Sequence, residues 1–268
     1  MKVLRADSLS ALLGNQSHHL HHWLVLEETG ETLSSLYQQV PALEYTWLFL
    51  ETPYADFLKR SPVVLRIDET ISNVLNAFSQ DPREGIAPGI VVASQASQEE
   101  VLAHLRHCLN VTFYGNRKGM LRYYHPDMAA ALFGAPEHVG QAWFGPLERW
   151  IWHGEAHPRT PGASTWLALH ADDDPSARDR AQDHTGRAQA KATPGLALSR
   201  GQEAALERHM RVMKAWKAFR QPSERLEEPN AYRRFLSSAQ LQQALAPTDK
   251  PSTVADAATP STRQGSAT

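Results

Sequence analysis

One cysteine, Cys108, is all the thiol this chain has, so no intrachain disulfide can form. No apolar run approaches the roughly 18 residues that would span a bilayer. The first residues, MKVLRADSLSALLGN, break up their apolar content with charged and polar groups where a secretory leader needs a continuous apolar stretch. Neither sign of charge dominates. A formal net charge of −2 over 268 residues and a pI near 6.7 give no electrostatic reason to expect nucleic acid or an anionic membrane as partner. Also missing are a phosphate-cradling Walker loop, Gly-x-Ser-x-Gly, His-Glu-x-x-His and a dinucleotide fingerprint. The expectation is a cytoplasmic protein with no cofactor, no resident metal and no catalytic residue.

What is present is ordinary globular composition, 42% hydrophobic and 21% charged, in a chain long enough for one large domain or two lobes. Short apolar runs at 23–26, 46–50, 63–67 and 89–93 read as strands from their β-branched and aromatic content. Helical patterns at 32–39, 54–59, 70–79 and 98–109 lie between them, which implies an α/β layer architecture with a buried sheet. Ser97 and Glu100 form a capping box ahead of the Val101, Leu105, Cys108 stripe. The segment 110–124 reads as a hairpin turning through residues 115–119, which makes the expected sheet mixed. Pro126 suits the start of a helix through Met128–Leu132. Later, Ser199 and Gln202 repeat the capping-box spacing ahead of a Leu206, Met210, Met213, Trp216, Phe219 stripe.

The expected fold is mixed α/β, with an N-terminal α/β lobe over 1–132 and a mainly helical C-terminal lobe over 133–245. Residues 171–193, ADDDPSARDRAQDHTGRAQAKAT, hold almost no large apolar side chain and read as a polar linker. A further helical segment is expected over 230–245, and the Pro, Ser, Thr and Ala content of 246–268 reads as a disordered tail.

The stretch from Ser94 to Trp150 carries the most specific pattern. Its helix bears His104, Leu105 and Arg106; after the hairpin come Arg122, Tyr123, Tyr124 and Pro126, and further on Phe144, Gly145 and Pro146. That order resembles the adaptor/chaperone family of bacterial type VI secretion, the Tap or TEC proteins that load effectors onto the VgrG spike. A weaker match runs through 48–65, and Leu198–Phe219 resembles the helix that closes the family domain. The chain departs from the pattern at His125, where the family has Asp, and at Glu51, where it has a small residue. The resemblance implies a carrier with two partners: a type VI effector, held by its N-terminal region, and the C-terminal end of VgrG.

Several side chains invite other chemistry. Arg122 needs an acidic or carbonyl partner if it points inward; a strut between lobes and a direct cargo contact are both open. His18, His19, His21 and His22 offer imidazoles, but their spacing matches no catalytic signature and an exposed, incidental tract is the better explanation. Asp172, Asp173 and Asp174 sit in the most polar stretch and read as a solvated charge run. Cys108 with His104 and His107 hints at a nucleophile and base, but Cys108 continues an apolar stripe. Seven tryptophans include four between Trp143 and Trp166. Trp143, Trp150, Trp152, Met213 and Trp216 are the candidate cargo contacts, since tryptophan is favoured at interface hot spots; a core seam is the alternative. The rival functional readings are a metal-assisted hydrolase using histidines and aspartates from both lobes, and a structural subunit of the secretion apparatus.

Overall fold

A computed structural model describes residues 1–14, 19–82, 85–114, 116–154, 165–171, 196–219, 238, 241–242 and 245–246. The chain is mixed α/β. In order it forms β1 (Lys2–Ala6), α1 (Leu9–Leu13), β2 (His21–Leu26), α2 (Thr32–Gln39), β3 (Thr46–Trp47), β4 (Val63–Arg66), α3 (Ser72–Gln80), β5 (Gly89–Ser94) and α4 (Gln98–Cys108). It continues through β6 (Asn110–Phe113), β7 (Arg117–Met120), α5 (Pro126–Phe133), β8 (Leu147–His153), β9 (Trp166–His170), β10 (Leu196–Ala197) and α6 (Arg200–Phe219).

Seven strands make one sheet in the order β1-β9-β8-β5-β2-β4-β3. Every neighbouring pair in it is antiparallel. Because β4 and β5 both run against β2, they are parallel to one another and α3 is the crossover between them. The sheet is nonetheless covered on both faces. Trp23, Val25, Ile90, Val92, Trp150, Trp152, Leu167 and Leu169 project into one core with α4, α5 and the start of α6. Leu24, Leu26, Val91, Ile151, Trp166 and Ala168 project into the other with α1, α2 and α3. Strand alternation sends successive side chains to opposite faces, so a strand apolar at every position requires a layer on each side.

The structure corrects the expected register and boundaries in three places. The hairpin lies outside the main sheet: β6 and β7 pair antiparallel, β10 adds parallel to β6, and this second, three-stranded sheet holds the one parallel ladder among the described strands. Its turn comes earlier than 115–119. Phe113 faces Arg117, leaving 114–116 as the connection, and Asn116 takes the left-handed φ of 59° that asparagine tolerates and a three-residue hairpin loop uses. Gly119 sits in β7, where a Cβ would lie 3.0 Å from the Phe113 ring. The third correction concerns the boundary near 132. β8 and β9, from beyond it, are the partners of β5 and β1, so sheet and core continue across it.

Both capping boxes form. Ser97 Oγ accepts from the Glu100 amide at 3.3 Å while Glu100 accepts from the Ser97 amide at 2.9 Å. At α6, Gln202 N donates to Ser199 Oγ at 3.2 Å and Ser199 N to Gln202 Oε1 at 3.1 Å. Gln202 is buried, and its Nε2 donates to the Leu132 carbonyl at 3.3 Å, which ties α6 to the end of α5. Gly201 permits that approach, because a Cβ there would overlap the His138 ring.

Candidate functional site

The motif residues of α4 meet the segment between α5 and β8. His104 Nε2 lies 3.0 Å from the Trp143 carbonyl. A carbonyl only accepts, so that nitrogen carries the hydrogen. The same oxygen accepts from Trp150 Nε1 at 3.1 Å. Gly145 has φ +50°, and a Cβ on it would overlap the imidazole of His104 at Nδ1. Glycine is therefore required there twice, for the left-handed backbone and for the ring against it. Ser94 Oγ donates to the Pro146 carbonyl, fastening the same turn to the end of β5, and Phe144 is buried beside it.

This arrangement settles the thiol question. Burial pushes the His104 pKa down to about 4, against the raising effect of the Trp143 hydrogen bond and with a small lowering from His107. Cys108 Sγ is 3.4 Å from His104 Nε2, yet that nitrogen's hydrogen is directed at Trp143 and it has no lone pair to take the thiol proton. Burial also raises the Cys108 thiol far above its ordinary value. The pair is packing, with no base aimed at a nucleophile.

The remaining motif residues are braces. Leu105 is buried, and its carbonyl accepts from the Tyr123 hydroxyl at 2.8 Å. Arg106 pairs with Glu51, a residue with φ 61°, so the position that departs from the family pattern is a left-handed one. Arg122 pairs with Glu27, just past β2. This is the acidic partner the sequence demanded, but the Arg122 side chain is 50% exposed, so it is a surface brace rather than a buried strut. Tyr124 is buried and its pKa is pushed up to about 12, chiefly by burial. Pro126 is the first residue of α5, and His125 caps it by accepting from the Asp127 amide at 3.3 Å. An imidazole nitrogen thus does what a carboxylate oxygen would do at that N-cap.

The candidate cargo contacts separate into two groups. Trp143, Trp150 and Trp152 are buried, gathered round Phe133 with ring centroids 5.5, 4.9 and 5.9 Å away. They are the seam between α5 and the sheet, and a side chain with no exposed surface has none to offer a partner. Met213 is 39% exposed and Met210 65%. Trp216 is half-buried, stacked on Phe219 and packed near Val212 and Leu241. The inward face of α6 runs through Gln202, Leu206 and Val212, which turns the two methionines outward.

Among the described residues no three or more of His, Cys, Asp and Glu are grouped to hold a metal ion. His21 and His22 are split by strand alternation: His21 lies against Arg66 and Trp23. The pKa of His22 is lowered to about 4 by burial and then by Arg149. His18 and Asp172–Asp174 fall outside the described residues, as do 172–193, 247–268 and most of 230–245. No described helix is long and apolar enough to cross a membrane. Sequence reading missed Glu27, Ser94 and Gly201, whose only signal is a partner distant along the chain.

Residues 22–142 match the family model described as a domain of unknown function (DUF4123). That span contains His104, Leu105, Arg106, Arg122, Tyr124 and Pro126, and ends just before Trp143. No curated protein and no solved structure matches the chain.

Proposed function

We propose that this chain is a non-catalytic adaptor that holds a type VI secretion effector by the effector's N-terminal region and hands it to the C-terminal end of a VgrG spike. The observation that carries the reading is the use to which the motif residues are put. His104 and Gly145 interlock, Arg106 and Arg122 brace neighbouring loops, and Pro126 starts a helix. A pattern spent on shaping a body suits a protein whose work is docking. The resemblance to the adaptor family and the match over 22–142 support the same reading. Holding and release need no bond-making; an interface of roughly 1,600 Å² suffices for a specific, reversible complex.

The test is co-expression with a VgrG spike protein and a type VI effector from the same genome, followed by affinity capture and fractionation. The expected result is a complex with each, with the chain remaining in the producing cell. Capture of neither, together with a stoichiometric metal and turnover of a hydrolysable substrate in protein purified without a nickel column, overturns the reading in favour of a hydrolase. Export with the spike makes it a structural subunit.

A further inference from the structure

Between Glu100 and Asp127 the chain has no aspartate or glutamate, while it carries Arg106, Arg117, Lys118 and Arg122. Arg106 and Arg122 are answered by Glu51 and Glu27. Arg117 and Lys118 are exposed and meet no carboxylate at ion-pair distance among the described residues. Both lie on β7, the outer strand of the small sheet, whose order is β10-β6-β7. Among the described elements, β6 is the one against which β7 packs extensively. Met120, at the end of β7, is 41% exposed.

Register fixes which backbone groups of β7 are free. In an antiparallel ladder, facing residues alternate between pairs that exchange both hydrogen bonds and pairs that exchange neither. The Leu121 amide donates to the Leu109 carbonyl at 2.8 Å. With Asn110 opposite Met120 and Val111 opposite Gly119, it is therefore Arg117, Gly119 and Leu121 that turn toward β6. Lys118 and Met120 direct their amides and carbonyls the other way, off the edge of the sheet. The far side of β6 agrees. The Thr112 carbonyl, on the residue opposite Lys118, accepts from the Leu198 amide at 3.0 Å just past β10, so it points away from β7. The exposed residues Lys118 and Met120 thus present donors and acceptors along an open edge, beside two unanswered cations.

We propose that the β7 edge takes up an extended, acidic segment of a protein partner as a fourth strand. The backbone groups of Lys118 and Met120 hold the segment's main chain. Carboxylates stand opposite Arg117 and Lys118, and an apolar side chain stands opposite Met120. Lysine on a free edge deters pairing between like strands, and a second copy of β7 would set cation against cation; a strand bearing carboxylates reverses that sign. The site does not depend on the adaptor reading, since any partner presenting such a segment satisfies it.

The test titrates the full chain with acetyl-Thr-Val-Thr-Glu-Glu-Thr-amide and with its Gln-Gln counterpart, following backbone amides by NMR. In the free protein the Lys118 and Met120 amides should exchange with solvent faster than those of Gly119 and Leu121, and saturating acidic peptide should slow them at least about tenfold. The acidic peptide should bind at least about tenfold more tightly than the Gln-Gln peptide. Arg117→Gln combined with Lys118→Gln should abolish that preference. Lys214→Gln combined with Lys217→Gln makes the same charge change on α6 and should preserve it, which separates the site from general attraction between charges. Met120→Pro deletes an outward amide that β6 does not use, at an edge position that tolerates proline, and should weaken binding about tenfold without altering the melt. No binding at millimolar peptide, equal binding of the two peptides, or undiminished binding by folded Met120→Pro overturns the proposal. Protection of the same amides without peptide, rising with protein concentration, overturns it in favour of a second copy of this chain.

Discussion

At the scale of single residues, the interlock of His104 with Gly145 ties α4 to the turn ahead of β8. A left-handed backbone costs a non-glycine residue about 1–2 kcal/mol, and a Cβ at 145 must also displace the His104 ring. Gly145→Ala should therefore cost at least about 2 kcal/mol. In a chain of this size that lowers the melting temperature by roughly 5 °C or more, and an unchanged melt would contradict the interlock. His104 also sets a pH dependence. Its pKa falls from 6.5 unfolded to about 4 folded, so the unfolded chain takes up the proton first as pH drops. Stability is unaffected above 6.5 and declines between 6.5 and 4. The loss amounts to about 2–3 kcal/mol once partial exposure is allowed for. His104→Gln should flatten that decline by about one proton in denaturant melts across the range; His22 contributes a parallel decline that remains. His104, Gly145 and Pro146 were all legible as motif members. Their mutual contact was not, because it is made between a helix and a distant turn.

At the scale of elements, local chemistry was legible wherever a side chain acts within a few residues. Ser97 with Glu100 and Ser199 with Gln202 could be read from spacing alone, and both boxes close. They should nevertheless differ in strength. Ser97 and Glu100 are exposed, so Ser97→Ala should cost about 1 kcal/mol. Gln202 is buried and also donates to Leu132. Gln202→Ala strands that carbonyl and the Ser199 amide, and should cost about 2 kcal/mol or more. Hydrogen exchange that rises over α6 and the end of α5 in Gln202→Ala, and stays local to α4 in Ser97→Ala, would bear this out; equal and local effects would refute it. The α6 stripe shows where spacing fails. Leu206, Met210, Met213 and Trp216 share helical periodicity, but the sequence does not say which edge of that arc meets α5. Docking through Gln202 turns Met210 and Met213 to the outside.

At the scale of the whole molecule, the class was legible and the topology was not. Strands apolar at every position imply a sheet covered on both faces, and it is. The sheet expected from the hairpin was mixed, whereas the large sheet is antiparallel throughout because β2 is inserted between β4 and β5. The same topology binds 22–142 to strands that lie beyond it in the chain. β5 has β8 as its outer neighbour, and β1 reaches the sheet only through β9. A fragment ending at residue 142 would keep the span matched by the family model but lose β8 and β9, with Trp150, Trp152, Leu167 and Leu169 gone from the core. It would leave β5, buried at all six positions, as a bare edge strand. Long apolar edges of that kind pair with other chains. The 1–142 fragment should accumulate as aggregate on expression, without the cooperative melt of the full chain. A soluble, monomeric fragment with a sharp thermal transition would mean that the matched span is a domain in its own right and that β8 and β9 are additions to it.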